Sequence, residues 1–117
     1  MNLLAEASCE SCNKQVSKLT DDEINSLLPL TEKWQLIEED NIKKIQRIYF
    51  IADYKKALEY ASAVARLAQC ENHHPSILLE YSKVTVTFWT HVILGLHKND
   101  FIMAAKADSI FENSSIS

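Results

Sequence analysis

The 117-residue chain lacks the marks of several protein classes. It has no basic excess: 12 Lys and Arg stand against 16 Asp and Glu, a formal charge of −4. General nucleic-acid binding draws most of its affinity from a basic surface, so no nucleic-acid partner is expected. No apolar run approaches the roughly 18 residues needed to span a bilayer, so no membrane partner is expected either. The start, Met1-Asn2-Leu3-Leu4-Ala5-Glu6, has neither the basic n-region nor the apolar h-region of a signal peptide, which points to a cytoplasmic protein. Cysteine is scarce and odd in number, three in all, which does not suit a secreted disulfide framework.

Two of those cysteines, Cys9 and Cys12, form a CxxC. That spacing can hold a metal or cycle between dithiol and disulfide. A zinc site would need two more ligands, and neither a second CxxC nor an H-x3-H pattern is present. A thioredoxin-like role would place the motif at the start of a helix after a buried strand, whereas it lies in a polar N-terminal stretch. The cysteines therefore read as incidental, and a metal module built from the CxxC and the histidines stands as an alternative. Cys70 reads as a small buried apolar group at a helix end.

A hydrophobic fraction of 47% and a charged fraction of 24% suit one globular domain that needs no covalent staples. Residues 1–19 show no periodic apolar pattern and read as an irregular lead-in. Residues 20–112 form the domain, and residues 113–117 a frayed tail. Thr20-Asp21-Asp22-Glu23 is a capping box, with Ile24, Leu27 and Leu28 giving one apolar face to a short helix that Pro29 helps to end. Trp34–Glu38 and Ile42–Ile51 read as strands joined by the polar turn Glu39-Asp40-Asn41. Asp53 caps a second helix in which Tyr54, Ala57, Leu58, Ala61, Val64, Ala65 and Ala68 recur at helical spacing. Ile77–Tyr81 and Val84–Val92 give a second hairpin through Ser82-Lys83. Asn99 or Asp100 caps a last helix through Phe111. The order α-β-β-α-β-β-α predicts an α+β fold, a four-stranded antiparallel sheet with helices packed on one face.

Histidine carries the chemical signal. His73 and His74 precede Pro75, which disfavours helical geometry at the residue before it and so ends the second helix near Cys70. Both histidines thus fall in the turn leaving a helix. His91 shares the polar face of its strand with Thr85, Thr87 and Trp89, away from Val84, Val86 and Phe88. Imidazole titrates nearest neutrality, so three histidines and Asp100 within this short stretch suggest proton transfer. His97 reads as an exposed loop residue, and Tyr81 as hairpin or core packing.

These residues resemble the pterin-4a-carbinolamine dehydratase family. The family pattern is His-His-Pro, five residues, an aromatic, nine residues, His, eight residues, Asp. His73-His74-Pro75, Tyr81, His91 and Asp100 match it without a gap. The likeness covers roughly residues 18–112, and Lys83-Val84-Thr85-Val86-Thr87 and Gly95-Leu96-His97 look like bacterial members. Two positions depart from the pattern. Gln69 stands where many members carry an acidic residue, with Glu71 two positions before His73 instead. Ile77 stands where animal members carry tryptophan, implying a different wall for the substrate side chain.

The resemblance implies dehydration of 4a-hydroxytetrahydropterin to quinonoid dihydropterin, in recycling of the tetrahydropterin cofactor. His73 and His91 would be the proton-transfer pair, His74 an orienting donor, and Asp100 the holder of an imidazole tautomer. Pro75, Trp89 and backbone groups around Thr90 would flank the pterin. No metal and no bound cofactor is implied. The implied partners are the pterin substrate, a second copy in a homodimer or homotetramer, and functionally a pterin-dependent aromatic amino acid hydroxylase. A non-catalytic oligomeric binding protein is the alternative.

Overall fold

The capping box at Thr20 opens the first helix, α1 (Asp21–Leu27): the Thr20 hydroxyl accepts from the Glu23 amide at 3.2 Å, and the Glu23 carboxylate accepts from the Thr20 amide at 2.8 Å. A 3-10 turn containing Pro29, Leu28–Thr31, leads to the first hairpin. The computed structural model describes residues 3–7, 9 and 17–114. Strands β1 (Gln35–Glu39) and β2 (Ile42–Phe50) are followed by α2 (Tyr54–Glu71), β3 (Ser76–Glu80), β4 (Lys83–Phe88) and α3 (Lys98–Glu112). The strands form an antiparallel sheet in the order β1-β2-β4-β3, with β1 and β3 at its edges. The α+β architecture expected from the sequence is present, with α2 and α3 against one face.

Glycine occurs once in the chain, so its sharp turns rest on other residues. Asp40 and Asn41 both adopt positive φ (55° and 65°), which matches the twist of a two-residue hairpin turn. Asn72, at φ 53°, ends α2: its own amide donates to Gln69 O and the next amide, of His73, donates to Ala68 O. These paired bonds are the Schellman arrangement, and they fix the direction in which His73 leaves the helix. Ser82 and Leu94 complete the set of left-handed residues.

Alternation along the strands sorts side chains between two layers. Ile45 and Tyr49 on β2, and Val84, Val86 and Phe88 on β4, point toward the helices and are buried. From α2 they meet Ala57, Tyr60, Ala61, Val64 and Ala68, and from α3 they meet Phe101, Met103 and Ala104. The alanines let the helix backbones approach closely.

A polar hub completes this layer. Asp108 of α3 accepts from Tyr49 Oη at 2.6 Å, Arg47 Nη1 at 2.6 Å and Trp34 Nε1 at 3.0 Å. Burial pushes the Tyr49 and Tyr60 hydroxyls well above the usual phenol range, and at Tyr49 the Asp108 carboxylate adds to the effect.

Several expectations need correction. The 1–19 segment is not wholly irregular: Leu3–Glu6 forms a 3-10 turn packed on α3, and Leu4 enters the core. One anchor is too sparse to produce a period. Tyr54, Leu58 and Ala65 lie on the outer side of α2, and Tyr60 takes the inward place. Cys70 is exposed, because the last turn of α2 runs past the sheet. Tyr81 is 77% exposed at the tip of the second hairpin, and β4 ends at Phe88 rather than Val92. Ile77 points inward opposite Val86 and packs against the core, so it is no wall of an outward-facing pocket. Cys12 and residues 115–117 of the expected tail lie outside the described residues.

Candidate active site

The site forms where α2, β4 and α3 end together. The Schellman turn at Asn72 carries the His73 ring inward, where it is 8% exposed and stacks on Phe88 with centroids 6.2 Å apart. Its Nε2 lies 2.6 Å from Oδ1 of Asp100. Asp100 is fully buried. Its other oxygen accepts from the Thr90 hydroxyl at 2.8 Å and the His97 amide at 2.9 Å. Three donors therefore satisfy a carboxylate that burial would otherwise penalise heavily.

His74 and Pro75 continue the turn toward β3, and His74 is exposed. Its Nε2 lies 3.1 Å from Gln69 Oε1, one helical turn back. The position where related sequences place an acid thus still presents an oxygen to this imidazole. Glu71 is engaged elsewhere: its carboxylate accepts from the Cys9 amide at 3.0 Å. It does not replace the missing acid.

Beyond Phe88 the chain leaves the sheet. Thr90 bridges to Gly95 in an antiparallel pair, and the loop between them contains a 3-10 turn, His91–Ile93. Leu94 closes this loop at φ 50°, an unusual conformation for a leucine. Lys18 lies against Gly95, where a Cβ would sit 2.8 Å from the lysine Cδ. His91 is exposed, its Nε2 lies 3.0 Å from the His74 carbonyl oxygen, and its ring meets Trp89 at a centroid distance of 4.5 Å.

The three imidazoles are held alike. Each Nε2 faces an oxygen: the Asp100 carboxylate, the Gln69 amide oxygen or the His74 carbonyl. An oxygen acceptor fixes the proton on Nε2 and leaves the lone pair of a neutral ring on Nδ1. The fold therefore presents three neighbouring imidazoles in a common tautomer.

The sequence-predicted residues His73, His74, Pro75, Trp89, Thr90, His91 and Asp100 lie at one end of the sheet, but three details differ from expectation. Thr90 uses its amide on Gly95 O at 2.8 Å and its hydroxyl on Asp100, so it supports the carboxylate rather than offering a free amide edge. His97 is the N-cap of α3, with Nδ1 accepting from the Asn99 amide at 3.0 Å, and is half-buried. Asp100 sits at the third helical position, its carboxylate reaching back to the cap. The dipeptide Asn99-Asp100 offers a plausible cap by itself, and only the approach of the chain selects His97.

Cys9 packs near this end of the molecule, with Sγ 3.9 Å from Asn99 O. Burial first, and the Glu71 carboxylate second, push its thiol up to about 12, so it stays protonated near neutral pH. Among the described residues, no group of three or more His, Cys, Asp and Glu side chains is arranged to hold a metal. Also among those residues, no helix is long and apolar enough to cross a membrane.

Comparison with known proteins agrees with this geometry. A sequence profile of the family described as Pterin 4 alpha carbinolamine dehydratase matches residues 17–110. A protein of Nitrosococcus oceani, assigned by name to the pterin-4-alpha-carbinolamine dehydratases, is 42% identical over 113 residues, covering 97% of this chain and all of that one. A crystal structure from Brucella melitensis, described as a transcriptional coactivator/pterin dehydratase, superposes with a TM-score of 0.72. It has 31% identity and covers 80% of this chain and 98% of its own. The family match spans most of the sequence and the relative matches nearly end to end, so this chain belongs to the pterin-4-alpha-carbinolamine dehydratases, a family of hydro-lyases.

Proposed function

We propose that the protein dehydrates 4a-hydroxytetrahydropterin to quinonoid dihydropterin by histidine acid–base catalysis. The observation that carries this reading is the set of three imidazoles, each anchored through Nε2 to an oxygen. The reaction breaks the C4a–O bond and removes a proton from a ring nitrogen, whose electrons form the new C=N bond. The leaving oxygen must gain a proton and departs as water, so nothing is oxidised or reduced. An imidazole can serve either end near neutral pH, with Nδ1 as the working atom.

His73 and His91 are the proton-transfer pair, and His74 orients the substrate. Asp100 favours a protonated His73 when that ring takes up a proton, and Thr90 holds Asp100 in register. Pro75 and Trp89 flank the pterin. The chemistry calls for no metal and no bound cofactor. The product would re-enter the tetrahydropterin pool that serves an aromatic amino acid hydroxylase, in the cytoplasm.

The protein would act as a homodimer or homotetramer. Two features support self-association: sheet edges at β1 and β3, and an apolar stripe on α2 where Tyr54 and Leu58 are 48% and 49% exposed. The same stripe supports a second reading, binding of another protein through α2, which the description of the Brucella relative also suggests.

The deciding experiment is a dehydratase assay with enzymatically generated 4a-hydroxytetrahydropterin. Acceleration over the spontaneous reaction is expected. A folded protein that gives none would overturn the catalytic reading and favour the binding one.

A further inference from the structure

Behind the histidines, on the sheet face turned away from the helices, lies a groove of about 230 Å³. Its floor is β4, with Thr85 and Thr87, flanked by Gln46 and Lys44 of β2 and by Ser76 of β3. Strand register explains the set: Gln46 and Ser76 both pair with Thr87, and alternation turns all three outward. Trp89 closes the end nearest the site, and its ring is also the one that meets His91 at 4.5 Å. The groove therefore continues directly from the histidine cluster.

Its chemistry is specific in one respect. Lys44 Nζ sits 4.0 Å from the centre of the Trp89 ring and 3.2 Å from Glu39 Oε1, and only 12% of the lysine side chain is exposed. The ammonium is thus neutralised by its own neighbours, and a carboxylate lines the same wall, so an anionic guest gains little. Gln46 Nε2 donates to Thr87 Oγ1 at 3.0 Å, which sets out a row of amide and hydroxyl groups that can both donate and accept. Such a lining suits a neutral group bearing several hydroxyls. The volume falls below the roughly 300–1,000 Å³ of pockets that enclose whole drug-sized ligands, so it suits a fragment of a larger molecule.

We infer that this groove is a subsite for a neutral, hydroxylated side chain of the pterin, with Lys44, Gln46, Thr87 and Ser76 reading its hydroxyls. The inference rests on the dehydratase reading, because that reading places the pterin ring at the histidines, next to Trp89. Lys44 and Thr87 are then specificity-determining residues that lie outside the three-histidine pattern.

The test compares two 4a-carbinolamines, one generated from 6-methyltetrahydropterin and one from tetrahydrobiopterin, whose side chain carries two hydroxyls. For the wild-type protein, kcat/KM is expected to favour the hydroxylated substrate at least about fivefold, roughly one hydrogen bond's net worth. Lys44→Met and the isosteric Thr87→Val should each lower that preference about three- to tenfold, through KM rather than kcat. Thr87→Val, which keeps shape and β-branching, carries the test if Lys44→Met proves unstable. A preference within twofold of wild type in a folded variant overturns the subsite and leaves the dehydratase reading standing. A change in oligomeric mass with the preference unmoved also overturns it, since the groove would then be an interface between copies. A wild-type protein that accelerates neither substrate removes the dehydratase reading itself.

Discussion

His73 Nε2 and Asp100 Oδ1 lie 2.6 Å apart, although 27 residues separate them in the chain and neither is open to solvent. The contact joins the end of α2 to the start of α3 and makes the first histidine a part of the core. His73 was expected to sit in a turn whose substitution the fold would tolerate. Its burial shows instead that any change at this residue alters packing as well as chemistry.

The first prediction separates the three imidazoles. His73→Ala and His91→Ala should lower turnover by about 10²–10⁴-fold, nearer the lower end because water can partly replace an imidazole. His74→Ala should act mainly on substrate affinity, at roughly 0.5–1.5 kcal/mol. His73→Ala should also lose stability, whereas exposed His91→Ala should not. Near-wild-type turnover in both folded variants would end the proton-transfer assignment. Steady-state kinetics paired with urea unfolding would show which holds.

Asp100→Asn offers a sharper probe of the His73 anchor. The amide would keep one oxygen but bring a donor into a site already supplied by the Thr90 hydroxyl, the His97 amide and the His73 ring. One buried donor is left unsatisfied, at about 1–3 kcal/mol. Turnover should fall together with stability, and the acidic limb of the pH–rate profile should move relative to wild type. A drop in stability with an unmoved profile would assign Asp100 a structural role alone.

His97 provides a contrasting case, because it caps α3 instead of lining a loop. His97→Ala should cost about 0.5–2 kcal/mol, as loss of an N-cap does, and His97→Asn should recover much of it. Calorimetric melting of the pair would read this directly. Equal melting of His97→Ala and wild type would remove the capping role.

Asp108 should be the more costly position. Removing its carboxylate strands the Arg47 guanidinium, the Trp34 indole N–H and the Tyr49 hydroxyl in a layer where Arg47 and Asp108 side chains are each 15% exposed. Asp108→Ala is expected to destabilise by about 3–5 kcal/mol. Chemical denaturation at neutral pH would measure it, and a loss under 1 kcal/mol would show that water takes the place of the carboxylate.

High pH should weaken the fold. Tyr49 and Tyr60 have folded pKa values raised by burial above that of an unfolded tyrosine, so their support is complete below about pH 10 and is lost as pH rises further. Cys9 adds to the loss between its ordinary value of 9.0 and about 12. The urea midpoint should therefore fall from pH 8 to pH 11, and fall less in Tyr49→Phe. Cys9→Ser and Cys12→Ser should leave dehydratase activity largely intact. Stoichiometric zinc lost together with activity in those variants would overturn that expectation.

Local signals made most of the architecture legible. The Thr20–Glu23 box, the Asp53 cap, the Asp40-Asn41 turn and the two-residue alternation of β4 each act over a few residues, so the chain displays them directly. The His-His-Pro turn was legible for the same reason, since Pro75 must end a helix close by. Misreadings fell where a choice depended on distant atoms. Tyr54 and Tyr60 both fit an apolar helical face, and the sheet decides which one is buried.

By itself, the sequence determined the order of elements, the two faces of the strands, and the presence of three histidines and an aspartate at family spacing. Those features follow from backbone sterics and from side-chain period, which need no tertiary information. Only the tertiary structure decided which oxygen anchors each imidazole, that His97 caps α3, that Glu71 binds the Cys9 amide, and that a neutralised Lys44 lines a groove beside Trp89. Each of these contacts is a hydrogen bond or ring contact a few ångströms long. Several join residues far apart in the chain, and the rest depend on a turn or cap that packing selects, so their partners exist only once the helices have closed on the sheet.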